Sequence, residues 1–199
     1  MIRVEDSSED CLNGIAAVFA EAFLAEDGII SRSMTGPDAE AYFRAALKEY
    51  IRIGALHAAD GQEGYCVYHH KKQGVPWYRE LLLMIRMMRS VSSGSMQKMV
   101  LLRRGWQDYT LDHMNDRDYI DVPLLAVRKE YQGKGFMRKL LEEPFREAEK
   151  HGIACILDTD SEVKASKYMH LGMTCEKKKV LESGLHMFTL SYRKQEIVK

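Results

Sequence analysis

Residues 125–141 read LAVRKEYQGKGFMRKLL. A hydrophobic strand runs into a short basic loop with two glycines, and the loop opens a helix. The first turn of a helix carries N–H groups without intrahelical partners and the positive end of the dipole. Gly133 and Gly135 lack Cβ atoms, so a ligand can approach the backbone and several N–H groups can converge on one anion. Between positions 128 and 139 stand five basic residues (Arg128, Lys129, Lys134, Arg138 and Lys139) and one acid, Glu130. Together these features describe a pyrophosphate site. Two other nucleotide motifs fail: GxxxxGK[ST] is absent, and Gly133-Lys134-Gly135 lacks the third glycine of GxGxxG. A bare GxG also serves ordinary turns.

Working outward, Tyr119 to Val127 (YIDVPLLAV) is almost continuously apolar, as in a strand covered on both faces. Pro123 cannot donate to a ladder and marks a bulge or a splayed edge. The pattern predicts a helix over Gly133 to His151 bent at Pro144, and a strand over Ile153 to Asp158. A helix over Glu162 to Leu171 and strands over Met173 to Val180 and Leu185 to Arg193 follow. Upstream, Ser7-Ser8-Glu9-Asp10 and Thr35-Gly36-Pro37-Asp38 each read as a helix start ahead of apolar residues at helical spacing. Ala55–Ala59 and Tyr65–His69 read as a hairpin, with His69, His70, Lys71 and Lys72 ending it at the surface. Residues 71–117 read as a helical insertion too small to own a core. Its parts are Pro76–Val91, a break at Ser92–Ser95, Met96–Tyr109 and a short piece over Leu111–Asn115. Its methionines suit either ordinary packing or an adaptable substrate-shaping wall. The element order gives one α/β domain, 1–199, with mixed strand directions.

The 199 residues carry 29 basic and 29 acidic side chains, which excludes the basic excess of a nucleic-acid coat protein. Residues 1–70 hold five basic and twelve acidic groups, and residues 71–117 hold nine and four, so local fields exist without a net charge. Cys11, Cys66, Cys155 and Cys175 form no CxxC pair and no zinc-finger spacing, and read as reduced thiols. The acidic start MIRVEDSSED does not read as a secretory signal, and no run of 18 apolar residues occurs. A cytoplasmic protein without membrane or nucleic-acid partners is expected. Lys177-Lys178-Lys179 reads as solvated surface.

Gln132-Gly133-Lys134-Gly135-Phe136-Met137, after the strand ending at Val127, resembles the acetyl-CoA loop of the GNAT acetyltransferases, whose pattern is [QR]xxGx[GA]. Tyr168-Met169-His170-Leu171-Gly172-Met173 resembles that family's second signature, YxxLGF. The helical insert and Leu157-Asp158-Thr159 resemble the branch that includes puromycin N-acetyltransferase. The sequence departs from the family at four positions. Lys129 stands where many members have proline, Met137 replaces a small residue, Lys164 stands where that branch often has an asparagine, and Met173 replaces phenylalanine. The resemblance implies a GNAT acyltransferase fold, a mixed, mostly antiparallel sheet with helices on both faces. It implies acetyl-CoA as acyl donor, with no metal. The coenzyme would be held by Leu125, Ala126, Val127, Gln132, Gly133, Lys134, Gly135, Phe136, Met137, Arg138 and Lys164.

The implied reaction is direct acetyl transfer to the primary amine of a small molecule by a monomer or homodimer. It requires a base for the ammonium proton, an N–H for the charge on the carbonyl oxygen, and an acid at the departing sulfur. Tyr168 matches the family tyrosine near the sulfur. Leu125 or Val127 N–H is the candidate oxyanion donor. Asp121, the only charged residue in its strand, is the first candidate base; Asp158 and His113 follow. A non-catalytic acyl-CoA-binding module, suggested by Met137 and Lys164, and a protein or peptide N-acetyltransferase are the alternatives. The acidic balance of residues 1–70 favours a cationic acceptor.

Overall fold

A computed structural model describes residues 1–106 and 118–193. Among these residues, seven strands form one sheet in the order β1-β2-β3-β4-β5-β7-β6. They are β1 (Ile2–Arg3), β2 (Leu56–Ala58), β3 (Gly64–His70), β4 (Tyr119–Val127), β5 (Ala154–Thr159), β6 (Thr174–Val180) and β7 (His186–Tyr192). Only β4 and β5 run parallel; every other pairing is antiparallel. The helices are α1 (Glu9–Leu24), α2 (Ile29–Ser33), α3 (Gly36–Arg52), α4 (Trp77–Ser90), α5 (Ser93–Leu102), α6 (Phe136–His151) and α7 (Glu162–His170). The expected α/β fold and mixed sheet are present. No helix among the described residues is long and apolar enough to cross a membrane.

Strand alternation sends successive side chains to opposite faces. Val67 and Ala126 join Leu12, Phe19, Phe43 and Leu47 beneath α1 and α3. Cys66, Leu125 and Val127 join Leu140, Leu141 and Tyr168 beneath α6 and α7. Cys66 and Cys155 are buried free thiols.

Several elements differ from the sequence expectation. β1 is a two-residue strand, added by pairing Ile2 with Ala58 and Arg3 with His57. α2 is absent from the sequence expectation; Asp160 Oδ2, just beyond the end of β5, accepts the Ile29 N–H at 2.6 Å. α6 begins at Phe136, not Gly133, because Gly133 and Gly135 adopt φ of +76° and +83°. Pro144 lies inside α6. The Ser92–Ser95 break contains the start of α5, with Ser92 Oγ capping through the Ser95 N–H. α5 ends at Leu102; the expected piece Leu111–Asn115 and His113 lie outside the described residues. The Lys177–Lys179 run is not simply solvated. Lys177 lies over the Trp106 ring, and Lys179 donates to the Gly105 carbonyl.

The insertion is tied to α3 at both ends. At the start of α3, Asp38 accepts the Ser92 N–H at 2.8 Å and the hydroxyls of Ser92 and Ser95 at 2.7 Å each. Near its end, buried Glu49 meets Arg52 at 3.1 Å, Arg79 at 3.3 Å and Arg86. The hydrogen bonds to Ser92 and Ser95 hold the Asp38 carboxyl at about 2, below its ordinary 3.8. A depressed carboxylate stabilises the fold above its unfolded pKa and loses that contribution as pH falls through the folded value. Asp38→Asn is expected to cost about 1 kcal/mol near neutrality, after allowance for solvent screening. In urea unfolding across pH, the difference from wild type should stay constant above about pH 5 and shrink between about pH 4 and 2.

Candidate active site

The site grows from the divergence of β4 and β5. These strands pair only through Tyr119, Ile120 and Asp121 against Ala154, Cys155 and Ile156. Beyond Asp121 they part, while β4 stays paired with β3 as far as Val127. The β3–β4 register shifts between Val67↔Leu124 and His69↔Asp121, so the extra residue lies on β4, in the stretch that holds Pro123. The Arg128 N–H donates to the Glu63 carbonyl at 2.9 Å on the β3 side. Hydrogen-bonding direction alternates along an antiparallel strand, so the N–H groups of Leu125 and Val127 point away from β3, into the gap that β5 has left. The Gln132 side chain donates to the Val127 carbonyl at 3.2 Å and fixes the turn to the strand end.

That turn leads into α6. Ser8, Thr35, Ser92 and Ser161 cap α1, α3, α5 and α7 with side-chain oxygens. The N-cap of α6 is Gly135, which offers no side chain. Its first-turn N–H groups therefore face outward without an internal acceptor. A Cβ built on Gly133 or Gly135 would meet nothing within 4 Å, so the space above the loop is open. The backbone has the form of an anion cradle. The basic residues divide. Arg128 donates to the Gln62 carbonyl and the Tyr65 hydroxyl, and Lys134 and Lys139 lie over the rings of Tyr131 and Phe136. Arg138 lines the groove.

The groove has a volume of about 800 Å³ and runs between the β4 end and α7. Leu125, Ala126, Val127, Gln132, Gly133 and Gly135 line it, with Met137, Arg138 and Lys164. Met137 packs partly against the core and forms wall, not plug. The residues present therefore suit a coenzyme A chain: an open glycine cradle for the diphosphate and a strand edge with free-facing N–H groups for the amide-bearing arm.

A second cavity of about 170 Å³ shares Leu125 and Lys164 with the groove. Tyr168, Asp158, Phe23, Ile29, Tyr42 and Met99 are among its walls. Lys164, mostly buried, lies 3.5 Å from Glu26 and 4.3 Å from the centre of the Phe23 ring. Burial pushes the Tyr168 phenol well above its ordinary pKa, with Cys66 and Glu26 adding to the effect. It stays protonated across the physiological range. Asp158 accepts the Thr189 hydroxyl at 2.6 Å.

Tyr168 and the β4 residues are thus brought together, but Asp121 is not with them. Asp121 lines neither cavity, and its Oδ2 lies 3.8 Å from His69 Nε2. It precedes the point of divergence, where the sheet is still closed. Asp160 was missed by sequence reasoning. It lines the second cavity while capping α2, and Gly28 permits this because a Cβ there would stand 2.6 Å from Asp160 Oδ2.

Residues 99–173 match the family model described as the acetyltransferase (GNAT) family. The structure is similar to that of an N-acetyltransferase from Staphylococcus aureus Mu50, at 13% identity and TM-score 0.61, covering 96% of this chain and 99% of that one. It is also similar to Drosophila melanogaster polyamine N-acetyltransferase, at 15% identity and TM-score 0.63, over 97% and 99% of the two chains. Arylalkylamine N-acetyltransferase 2 from Aedes aegypti aligns at 13% identity and TM-score 0.59, over 94% and 96%. A search of curated protein sequences found no match. The chain has the GNAT fold, and its residues 99–173 are similar to the GNAT acetyltransferase family.

Gly135→Asp tests the cradle. Any side chain there strains a left-handed residue by about 1 kcal/mol, and a carboxylate opposes an anion. Titration calorimetry should show coenzyme A affinity falling by about 100-fold or more, a loss of about 2.7 kcal/mol, while the fold persists in circular dichroism. Unchanged affinity would exclude this loop as the diphosphate site.

Proposed function

We propose that this protein transfers an acetyl group from acetyl-CoA to the primary amine of a small molecule with an apolar body. The observation that carries this reading is the open edge of β4, whose Leu125 and Val127 N–H groups face the junction of a coenzyme-sized groove and a small cavity. When bound, acetyl-CoA supplies the acetyl group as an activated thioester.

The chain's own groups divide the remaining work. Main-chain N–H groups of Gly133 and of Gly135 to Arg138, with the Arg138 side chain, hold the diphosphate. Lys134 and Phe136 frame that loop. Leu125 or Val127 N–H meets the charge that grows on the carbonyl oxygen, in a site already oriented before the reaction. Tyr168 Oη holds a proton throughout the working pH range and delivers it, or a hydrogen bond, toward sulfur. An ammonium must lose a proton before it attacks. Asp158, which lines the small cavity with Tyr168, is our candidate to receive it. Asp121, the first choice on sequence, is kept as the competing base and is separated by experiment below.

The walls support the acceptor class. Phe23, Ile29, Tyr42 and Met99 suit an apolar body, and Asp158 and Asp160 suit an ammonium head. α5 folds over this side: Met99, Leu102 and Trp106 pack on a cluster with Ile29, Leu185 and Met187. That cover favours a small amine over a peptide held in an open groove. Leu157-Asp158-Thr159, which carries the resemblance to the puromycin N-acetyltransferase branch, lines this cavity. Met137 and Lys164, the residues favouring a module without turnover, form walls of the groove and leave it open.

Two substitutions test the chemistry on a panel of alkyl and arylalkyl amines. Tyr168→Phe should lower kcat by about 100-fold with little change in coenzyme A affinity; equal losses in both would reduce Tyr168 to a packing residue. Asp158→Asn should lower kcat by about 100-fold at neutral pH and less at high pH, where the amine is already neutral, while Asp121→Asn stays within about threefold. The reverse ranking would return the base role to Asp121.

A further inference from the structure

The far end of α6 holds a cluster that the acetyl-transfer reading does not use. His70 ends β3, opposite Ile120 of β4. Glu147 and His151 stand one helical turn apart on α6 and share a face. Glu147 Oε1 lies 2.9 Å from His151 Nε2 and 3.9 Å from His70 Nε2. One ligand atom from each of the three residues falls within 4.8 Å of the others.

We propose that His70, Glu147 and His151 form a binding site for a divalent transition-metal ion, zinc being the best fit. Bonds of about 2.0–2.2 Å in tetrahedral geometry place ligand atoms about 3.3–3.5 Å apart, and the observed 2.9 and 3.9 Å bracket that spacing. Small rotamer changes close the difference. Two imidazoles and one carboxylate form a borderline donor set, which suits zinc, cobalt, nickel or copper. Magnesium and calcium want oxygen ligands throughout.

A second observation points the same way. With His70 Nε2 turned toward Glu147, its Nδ1 lies 3.7 Å from Asp118 Oδ2. A carboxylate behind a ligating imidazole fixes the tautomer and raises the ring's basicity toward the metal. Asp118 is itself oriented, since its Oδ1 accepts the Tyr119 N–H at 3.1 Å. The C-terminal turn of α6 adds partial negative charge. The present cation near Glu147 is Lys150, at 3.3 Å, and it is two-thirds exposed and can swing outward. The side chains are accessible without being fully solvated: His70 is 19% exposed, Glu147 30% and His151 44%.

The site lies about 20 Å along α6 from the coenzyme loop, at 1.5 Å per residue, so the ion would not enter the reaction. It would fasten the last residue of β3, from which the helical insertion departs, to the helix that carries the cradle. The ion is a brace between insert and coenzyme helix.

The test is calorimetric titration of zinc into the chelator-stripped full chain, with thermal melts with and without one equivalent. One zinc per chain should bind with micromolar or tighter affinity and raise Tm. His70→Ala, His151→Ala and Glu147→Gln should each weaken binding by about tenfold or more and abolish the rise in Tm; Asp118→Asn should weaken it by about tenfold. Glu147→Gln keeps the side-chain shape, so it reports on the ligand and not on folding. No zinc uptake would overturn the proposal. So would equal affinity in His70→Ala/His151→Ala, which would move the ion to other side chains, or displacement of zinc by an equal concentration of magnesium.

Discussion

The rest of the structure depends on the point where β4 stops pairing with β5. Three residues of each strand hold the two together, and beyond Asp121 the strands separate. A strand edge without a partner presents unpaired N–H groups, which proteins normally cover. Here the opened edge lies along the groove lined by α1, α6 and α7 residues, and no other strand pairs with it among the described residues. Pro123 favours the opening because it has no N–H to offer β5. From this wedge follow the inward-facing N–H groups of Leu125 and Val127, the groove beside them and the approach of α7, which brings Tyr168 to the gap. The uncapped start of α6 belongs to the same arrangement. A serine at Gly135 would satisfy the helix internally and occupy donors that the cradle leaves for a ligand.

The features legible in the sequence were those written in neighbouring residues. Gly133 and Gly135 announce a tight turn, and the structure gives both a positive φ. The apolar run over Tyr119 to Val127 announces a strand buried on both faces, and both faces pack. Ser8 and Thr35 announce their helices through capping. What stayed hidden depends on partners distant in the chain. β1 exists because Ile2 and Arg3 find β2, and α2 is capped by Asp160. The candidate base shows the same limit. Asp121 stands out in sequence by its apolar neighbours, whereas the lining of the small cavity depends on where β5 ends, which puts Asp158 and Asp160 in its wall. His70, Glu147 and His151 meet only because β3 and α6 lie side by side, so no spacing rule for metal ligands detects them.

The orientation of α4 is not set by its own hydropathy. α4 has a clear apolar stripe, and such a stripe ordinarily faces the core. In the structure Trp77, Leu81, Met84 and Met88 face outward, at 77%, 54%, 60% and 69% exposure. The opposite face turns inward, with Arg79 and Arg86 reaching Glu49. The reason lies on α3. A carboxylate as buried as Glu49 cannot stay ionised without partners, since desolvating a lone charge costs several kcal/mol or more. Guanidinium groups are suited to answer it, because their planar donors serve one carboxylate from several directions. Once two of its arginines are committed to Glu49, the rotation of α4 is fixed, and the apolar stripe must point the other way. Among the insert's described methionines, Met99 then becomes the one that walls the small cavity, from α5. The rotation of α4 is thus set by one buried charge on α3, and hydropathy along α4 alone carries no trace of it.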